Sequence, residues 1–195
     1  MSNVPLTTVK EHNYLGICLH HKLSWKPLGK PLGKPHVDRI CNKTNRLLGF
    51  WKWNLYNASP QIKEYTYKQL LLPSVEYCSA IWDPYHQGDI LKLEMIQHRT
   101  ARFVLNKPWH RNQQNDSITD ILSSLTWPSL EDRQKAARLI LLFKILRKLF
   151  VVPDCCLPTL TPLHSTRAHH PLKLAHIQSR IDVYKYSFLP RTIRN

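Results

Sequence analysis

Acidic side chains are scarce. Asp and Glu number 13 in this 195-residue chain, against 28 Lys and Arg, which leaves a formal charge of +15. Such an excess points to a polyanionic partner, because each neutralised phosphate releases counterions. Nucleic acid is the first expectation, an anionic membrane surface the second, and a merely soluble basic surface the plain alternative. Long apolar runs are also missing. The most apolar stretch, Leu139 to Val152, is broken by Lys144, Arg147 and Lys148, which excludes a membrane-spanning helix. Residues 1–20 lack the apolar centre of a signal peptide, so an intracellular location is expected. The five cysteines are scattered and form no CxxC pair. A reducing compartment with free thiols follows, many of them buried as small hydrophobes.

What is present is enough for a core: 43% of residues are hydrophobic. Residues 6–19 alternate loosely and are rich in β-branched side chains, with His12-Asn13 between two short runs, so a β-hairpin is expected. From residue 36 the period changes. Val37, Ile40, Cys41, Thr44, Leu47, Leu48 and Trp51 fall on one helical face, while Arg39, Lys43 and Arg46 line up as a basic stripe on another. Ser59-Pro60 starts the next helix, with a kink or break at Pro73, resumption through Ser74–Trp82 and an end at Asp83-Pro84. Gly88–Leu105 places Ile90, Leu93, Ile96, Thr100 or Ala101, and Val104 on an apolar face, with Lys92, Arg99 and Arg102 elsewhere. Residues 106–116 read as a loop, and Ser117 as the cap of a short helix. The longest helix opens at Pro128-Ser129; being apolar nearly all round, it should be central. From Pro153 onward, five prolines and no glycine give an extended tail. The expected fold is mainly α: a bundle of four or five helices, a small N-terminal β-hairpin and an extended C-terminal tail. The segments are 1–25, a linker 26–35, helices over 36–152 and the tail 153–195.

Among candidate functional residues, basic stripes opposite apolar faces suit phosphate contacts. Arg39, Lys43 and Arg46 lead, followed by Arg99 and Arg102, with Lys52 between two tryptophans. The plain alternative is a solvated helix face. Trp82 and Trp127, beside prolines at helix ends, read as core; Trp53 and Trp109, with basic neighbours, leave base stacking and packing both open. Cys155-Cys156 with His164, His169 and His170 makes a poor zinc set, because adjacent cysteines on extended chain point opposite ways. His98 has no nucleophile motif beside it and is read as a helix neighbour rather than a general base.

A colinear series of short motifs then stands out. Tyr14-Leu15-Gly16-Ile17, Leu23-Ser24-Trp25-Lys26 and Pro35-His36-Val37 come first, followed by Arg46-Leu47-Leu48-Gly49-Phe50 and Pro73-Ser74-Val75-Glu76-Tyr77. Trp82-Asp83-Pro84, Gln97 to Val104, Trp127 to Glu131 and Tyr184 to Asn195 complete it. Together they resemble the end of the reverse-transcriptase domain of non-LTR retrotransposons (LINE elements) of the jockey type, over nearly the whole chain. The resemblance implies that the helices from 36 to 105 are thumb-like and lie along an RNA, DNA or hybrid template–primer. It also implies a parent RNA-directed DNA polymerase that uses magnesium held by paired palm carboxylates. No Asp-Asp pair occurs here, and the one adjacent acidic pair, Glu131-Asp132, suits a helix start. The expectation is therefore a truncated fragment covering the end of the palm, the thumb and the region after it. It would have no polymerase activity alone, no cofactor of its own, no membrane or small-molecule partner, and at most sequence-independent nucleic-acid binding. An inert product of a degraded element, or a small protein-interaction or zinc-binding module, are the other readings. In the family a single strand-to-helix connection follows the LSWK motif; here PLGKPLGK, two copies of one four-residue unit, intervenes as a tolerated copying scar.

Overall fold

A computed structural model describes residues 9–20, 36–107, 118–153, 157–158, 160 and 173–194. The repeat linker, Trp109, Ser117, Cys155-Cys156 and the histidines at 164, 169 and 170 lie outside them. Over the described residues the chain is mostly helical, with one two-stranded antiparallel sheet. The order is β1 (Glu11–Tyr14), β2 (Ile17–His20), α1 (His36–Asn54), α2 (Pro60–Thr66), a π-helical stretch (Tyr67–Leu71), α3 (Leu72–Glu76) and α4 (Ser79–Trp82). Then follow α5 (Gln87–Val104), α6 (Ile118–Ser124), α7 (Leu130–Leu146), α8 (Asp182–Lys185) and α9 (Phe188–Arg194). More helical segments form than the four or five expected, because the run from 60 to 82 subdivides and the end of the tail, expected to be extended, forms α8 and α9. Two compact units result: Met1–Cys78 with Pro84–Leu130, and Ser79–Asp83 with Glu131–Asn195.

In the first unit α1 packs along α5. Val37, Cys41, Thr44, Leu48 and Trp51 are buried on α1, and Ile90, Leu93, Ile96, Thr100, Ala101 and Val104 on α5. These are the faces that the helical period picks out. Polar links flank the seam: Lys92 Nζ donates to Asp38 Oδ1 at 2.8 Å, and Arg99 donates to Asn45 Oδ1 at 3.3 Å. Trp127 stacks on Tyr67 with ring centroids 4.0 Å apart, and its indole N–H donates to Glu64 at 3.2 Å. Gln97 Nε2 donates to the Pro128 carbonyl at 3.0 Å. The Cys18 and Cys41 thiols are free and buried, and burial pushes Cys41 up to about 11.

The hairpin forms, but its turn is Leu15-Gly16 rather than His12-Asn13. Tyr14 pairs with Ile17 across it, and both turn residues have positive φ, 48° and 82°. That is the backbone of a two-residue turn whose twist matches the strands, and glycine relieves one of its two strained positions. One side of the hairpin docks on α1. The Cys18 N–H donates to His36 Nδ1 at 3.3 Å, and Arg39 donates to Glu11 at 3.0 Å and Asn13 at 2.9 Å. Tyr77 closes the turn by donating its hydroxyl to the Leu15 carbonyl at 3.1 Å.

Pro73 does not break the chain. The Leu72 N–H reaches back to the Tyr67 carbonyl, one residue further than in an α-helix, and this wider turn gives the proline ring room. The break falls later: Cys78 has φ 53° between α3 and α4.

Three helices end in the same way. After α5, Lys107 N–H donates to Arg102 O and Asn106 N–H to Phe103 O; after α6, Trp127 pairs with Leu122 and Thr126 with Ser123; after α7, Leu149 pairs with Lys144 and Lys148 with Ile145. These are Schellman caps, whose pivot residue is left-handed and usually glycine. Here the pivots are Asn106, Thr126 and Lys148, with φ of 52°, 53° and 55°.

The second unit is organised by charge. Asp83 is buried between Arg138 of α7 and Arg191 of α9, with ion-pair distances of 2.8 and 3.3 Å, and Arg191 also donates to the Asp83 carbonyl at 2.7 Å. Burial raises the Asp83 carboxyl and lowers the Arg138 guanidinium from their ordinary values, so neither group could lose its partner cheaply. This triad sets how α7 lies. Its buried stripe is Leu130, Gln134, Arg138, Leu142 and Ile145, while Leu139, Ile140 and Phe143 are exposed. α7, expected to be central because it is apolar nearly all round, is buried along this one stripe: Arg138 faces Asp83, and the more apolar face turns outward. No helix among the described residues is long and apolar enough to cross a membrane.

Two outcomes follow. Thr126→Gly relieves a β-branched residue from a left-handed pivot and should raise stability by about 1 kcal/mol in thermal unfolding, whereas Thr126→Ala, which keeps the Cβ, should gain little. His36 is lowered to about 4 from 6.5, by burial first and then by the Arg39 charge. The unfolded chain therefore binds the proton first. Stability held in full above pH 6.5 is lost as pH falls toward 4, by about 3 kcal/mol at most. Urea titrations across that range should show the loss, and His36→Gln should remove that part of the slope.

Candidate nucleic-acid interface

The end of α1, the start of α2 and the last turn of α5 enclose a cavity of about 700 Å³. Among the described residues five cationic side chains line it, Lys52, Lys63, Arg99, Arg102 and Lys107, with Tyr56, Asn57, Ala58, Phe103 and Asn106, and no carboxylate. Each arrives for a local reason. Lys52 follows Trp51, whose ring is buried in the α1 seam, so the lysine emerges at the seam's edge. Ser59 caps α2 by accepting from the Ile62 N–H, Pro60 fills the first turn, and Lys63 is carried inward. Arg99 and Arg102 flank the buried face of α5, and the Schellman turn at Asn106 brings Lys107 back beside them.

The cavity has a shallow and a deep tier. Lys52, Arg99 and Lys107 are exposed, whereas Lys63 is only 2% exposed and Arg102 8%. Lys63 donates to the Tyr56 carbonyl at 3.1 Å and to Asn106 Oδ1, and lies over the Phe103 ring at 4.6 Å. Its partners among the described residues are neutral, so a buried ammonium sits here without a carboxylate. Arg102 Nε donates to His98 Nε2 at 3.3 Å, and burial together with the Arg102 charge lowers His98 from its ordinary value. Lys52 is lowered too, first by burial and then by Arg99. A phosphate entering the cavity would offset the Arg99 charge beside Lys52.

Lys52, Arg99 and Arg102 are therefore brought together, with Arg102 far more buried than a surface phosphate contact implies. Arg39 and Lys43 line a second depression of about 460 Å³ with Leu15, Gly16, His36 and Tyr77, where Arg39 is engaged by the hairpin. Arg46 is exposed on α1 and lines neither cavity. Lys63 and Lys107 are site residues that periodicity missed, because each stands at a helix terminus on a different element. Trp82 is fully buried and Trp127 nearly so, as expected, while Trp53 is 86% exposed. Glu131 and Asp132 are exposed at the start of α7, and among the described residues no group of three His, Cys, Asp or Glu could hold a metal ion.

No family model matches the chain, and neither curated proteins nor solved structures give a match.

Two lysines with opposite surroundings test the electrostatics. Lys92 is held above its ordinary value by Asp38 first and Asp89 as well, whereas Lys52 is held below. In low salt without phosphate, Lys92→Gln should lower stability by about 0.5 kcal/mol, and Lys52→Gln should leave it unchanged or raise it slightly. Thermal melts of both variants read the difference; equal losses would refute the crowding of cations around the cavity.

Proposed function

We propose that the chain is the thumb-side part of a retrotransposon RNA-directed DNA polymerase. Its work on this reading is to hold the phosphate backbone of an RNA, DNA or hybrid template–primer without reading sequence. The observation that carries it is the convergence of five cations from α1, α2 and the C-terminal end of α5 on one cavity, whose lining among the described residues includes no carboxylate, in a chain of charge +15. Cations gathered in this way contribute phosphate attraction in any sequence context, since they face no base edges by necessity. The motif series read from the sequence supplies the polymerase context, and on this reading the carboxylate chemistry is the work of the parent polymerase's palm. The likeness to a thumb rests on that series and on the helical, hairpin-headed architecture together.

Anisotropy of a labelled RNA–DNA hybrid, titrated with salt, tests this. Affinity should fall steeply with salt. Lys52→Gln and Arg99→Gln should each flatten the log–log slope by about one unit, uniformly across sequences. Arg39→Gln should change it less, because the Arg39 guanidinium is held by Glu11 and Asn13. Binding weaker than micromolar, with a slope indifferent to Lys52 and Arg99, would sink the proposal.

A further inference from the structure

We propose that the outward face of α1 binds single-stranded nucleic acid, with unpaired bases stacked on Phe50 and Trp53 and phosphates held by Lys43 and Arg46. The inference rests on the reading of the chain as a holder of nucleic acid, and goes beyond it by naming an unpaired strand and a second surface. Position is the first argument. Lys43, Arg46, Phe50 and Trp53 succeed one another at helical spacing, so they share one face. It is the face turned away from α5: Thr44, Leu48 and Trp51 are buried in the seam, whereas all four of these are exposed. From Lys43 to Trp53 the helix rises about 15 Å, the length of about four stacked nucleotides. Gly49 lies on the same face between Arg46 and Trp53, and nothing stands within 4 Å of where its Cβ would be, so a strand can approach the helix closely there.

Availability is the second argument. Among the described residues no hydrogen bond, ion pair or ring contact engages any of the four side chains. Arg39, on the same helix, is by contrast held by Glu11 and Asn13, and Asp38, the one acidic residue of α1, is held by Lys92. Trp53 is 86% exposed and Phe50 64%. A single exposed ring is ordinary on a soluble surface, but two neighbouring rings in line with two unengaged cations form a patch. Chemistry then selects the occupant. Ring faces stack on base faces, which a duplex keeps inside its own stack and an unpaired strand presents, while the cations take phosphates of any sequence. A second copy of the chain would bring another +15 to a basic stripe and is disfavoured.

The test uses the full chain and three labelled probes followed by anisotropy: an unstructured 12-nucleotide single strand, an abasic strand of the same length, and a blunt RNA–DNA hybrid. Phe50→Ala/Trp53→Ala should weaken the single strand by about tenfold or more and leave the hybrid within about twofold. Trp53→Phe in place of Trp53→Ala should restore part of the loss. The abasic strand should bind the native chain about as weakly as the normal strand binds the double variant. Lys43→Gln/Arg46→Gln should flatten the single-strand salt slope by about 1.4, at about 0.7 per phosphate. If the double aromatic variant binds the single strand as the native chain does, or the abasic strand binds as well as the normal one, the stacking face is overturned. Hybrid binding that still depends on Lys52 and Arg99 would then leave the backbone-holding role standing. If the single strand binds through the two rings and the hybrid does not bind, the backbone-holding role falls and the stacking face stands. If neither binds, both fall. A dimer in sedimentation that the aromatic variant splits, with single-strand affinity unmoved, would assign the face to a second copy and overturn the inference. Circular dichroism of each variant separates loss of ligand from loss of fold.

Discussion

The apolar seam between α1 and α5 is the constraint on which the first unit depends. Its side chains pack at helical spacing from Val37 to Trp51 on one helix and from Ile90 to Val104 on the other. Once that seam is closed, the flanking residues have little freedom. Lys52 must emerge at one edge and Arg99 must lie near Asn45. Hydrophobic burial fixes the positions of charges that no local attraction would gather, since cations crowded together repel. Lys52 shows both costs: its ammonium is held below its ordinary value by burial first and then by the Arg99 charge.

The residues that carry the resemblance prove to be structural joints. Trp82 is fully buried, and Asp83 beside it binds Arg138 and Arg191, which ties the middle of the chain to its last helix. Trp127 stacks on Tyr67, and Gln97 holds the Pro128 carbonyl. Tyr77 and Leu15 come from two separate motifs and share one hydrogen bond. Short motifs far apart in sequence thus meet in pairs, and each pair fixes one packing geometry. A joint of this kind says which shape a chain adopts and leaves open what the shape is used for.

Much of the fold was legible in the chain because helical period is a local signal. The faces of α1 and α5, the Ser59-Pro60 start and the burial of Trp82 and Trp127 all follow from residues within a few turns of one another. What escaped depends on partners far away. α7 turns its more apolar face outward because Arg138 must reach Asp83, 55 positions earlier in the sequence. The end of the tail forms α8 and α9 rather than staying extended, and Arg191 there ends on the same carboxylate. At the candidate site the same rule holds. Arg99 and Arg102 stand out along a single helix, but Lys63 and Lys107 join them only through the meeting of three elements.

The π-helical turn ahead of Pro73 does more than accommodate a ring. Lys63, Tyr67, Leu71 and Val75 are buried at strict intervals of four. On a regular α-helix such a column would drift sideways by about 40° at each step and wind off its neighbours. The wider turn slows the rotation where the drift would accumulate, so the column runs nearly straight. One continuous rod can then present Lys63 to the cationic cavity at its first end and carry Tyr77 to the hairpin at its other, which keeps the two sites in fixed phase along a single axis.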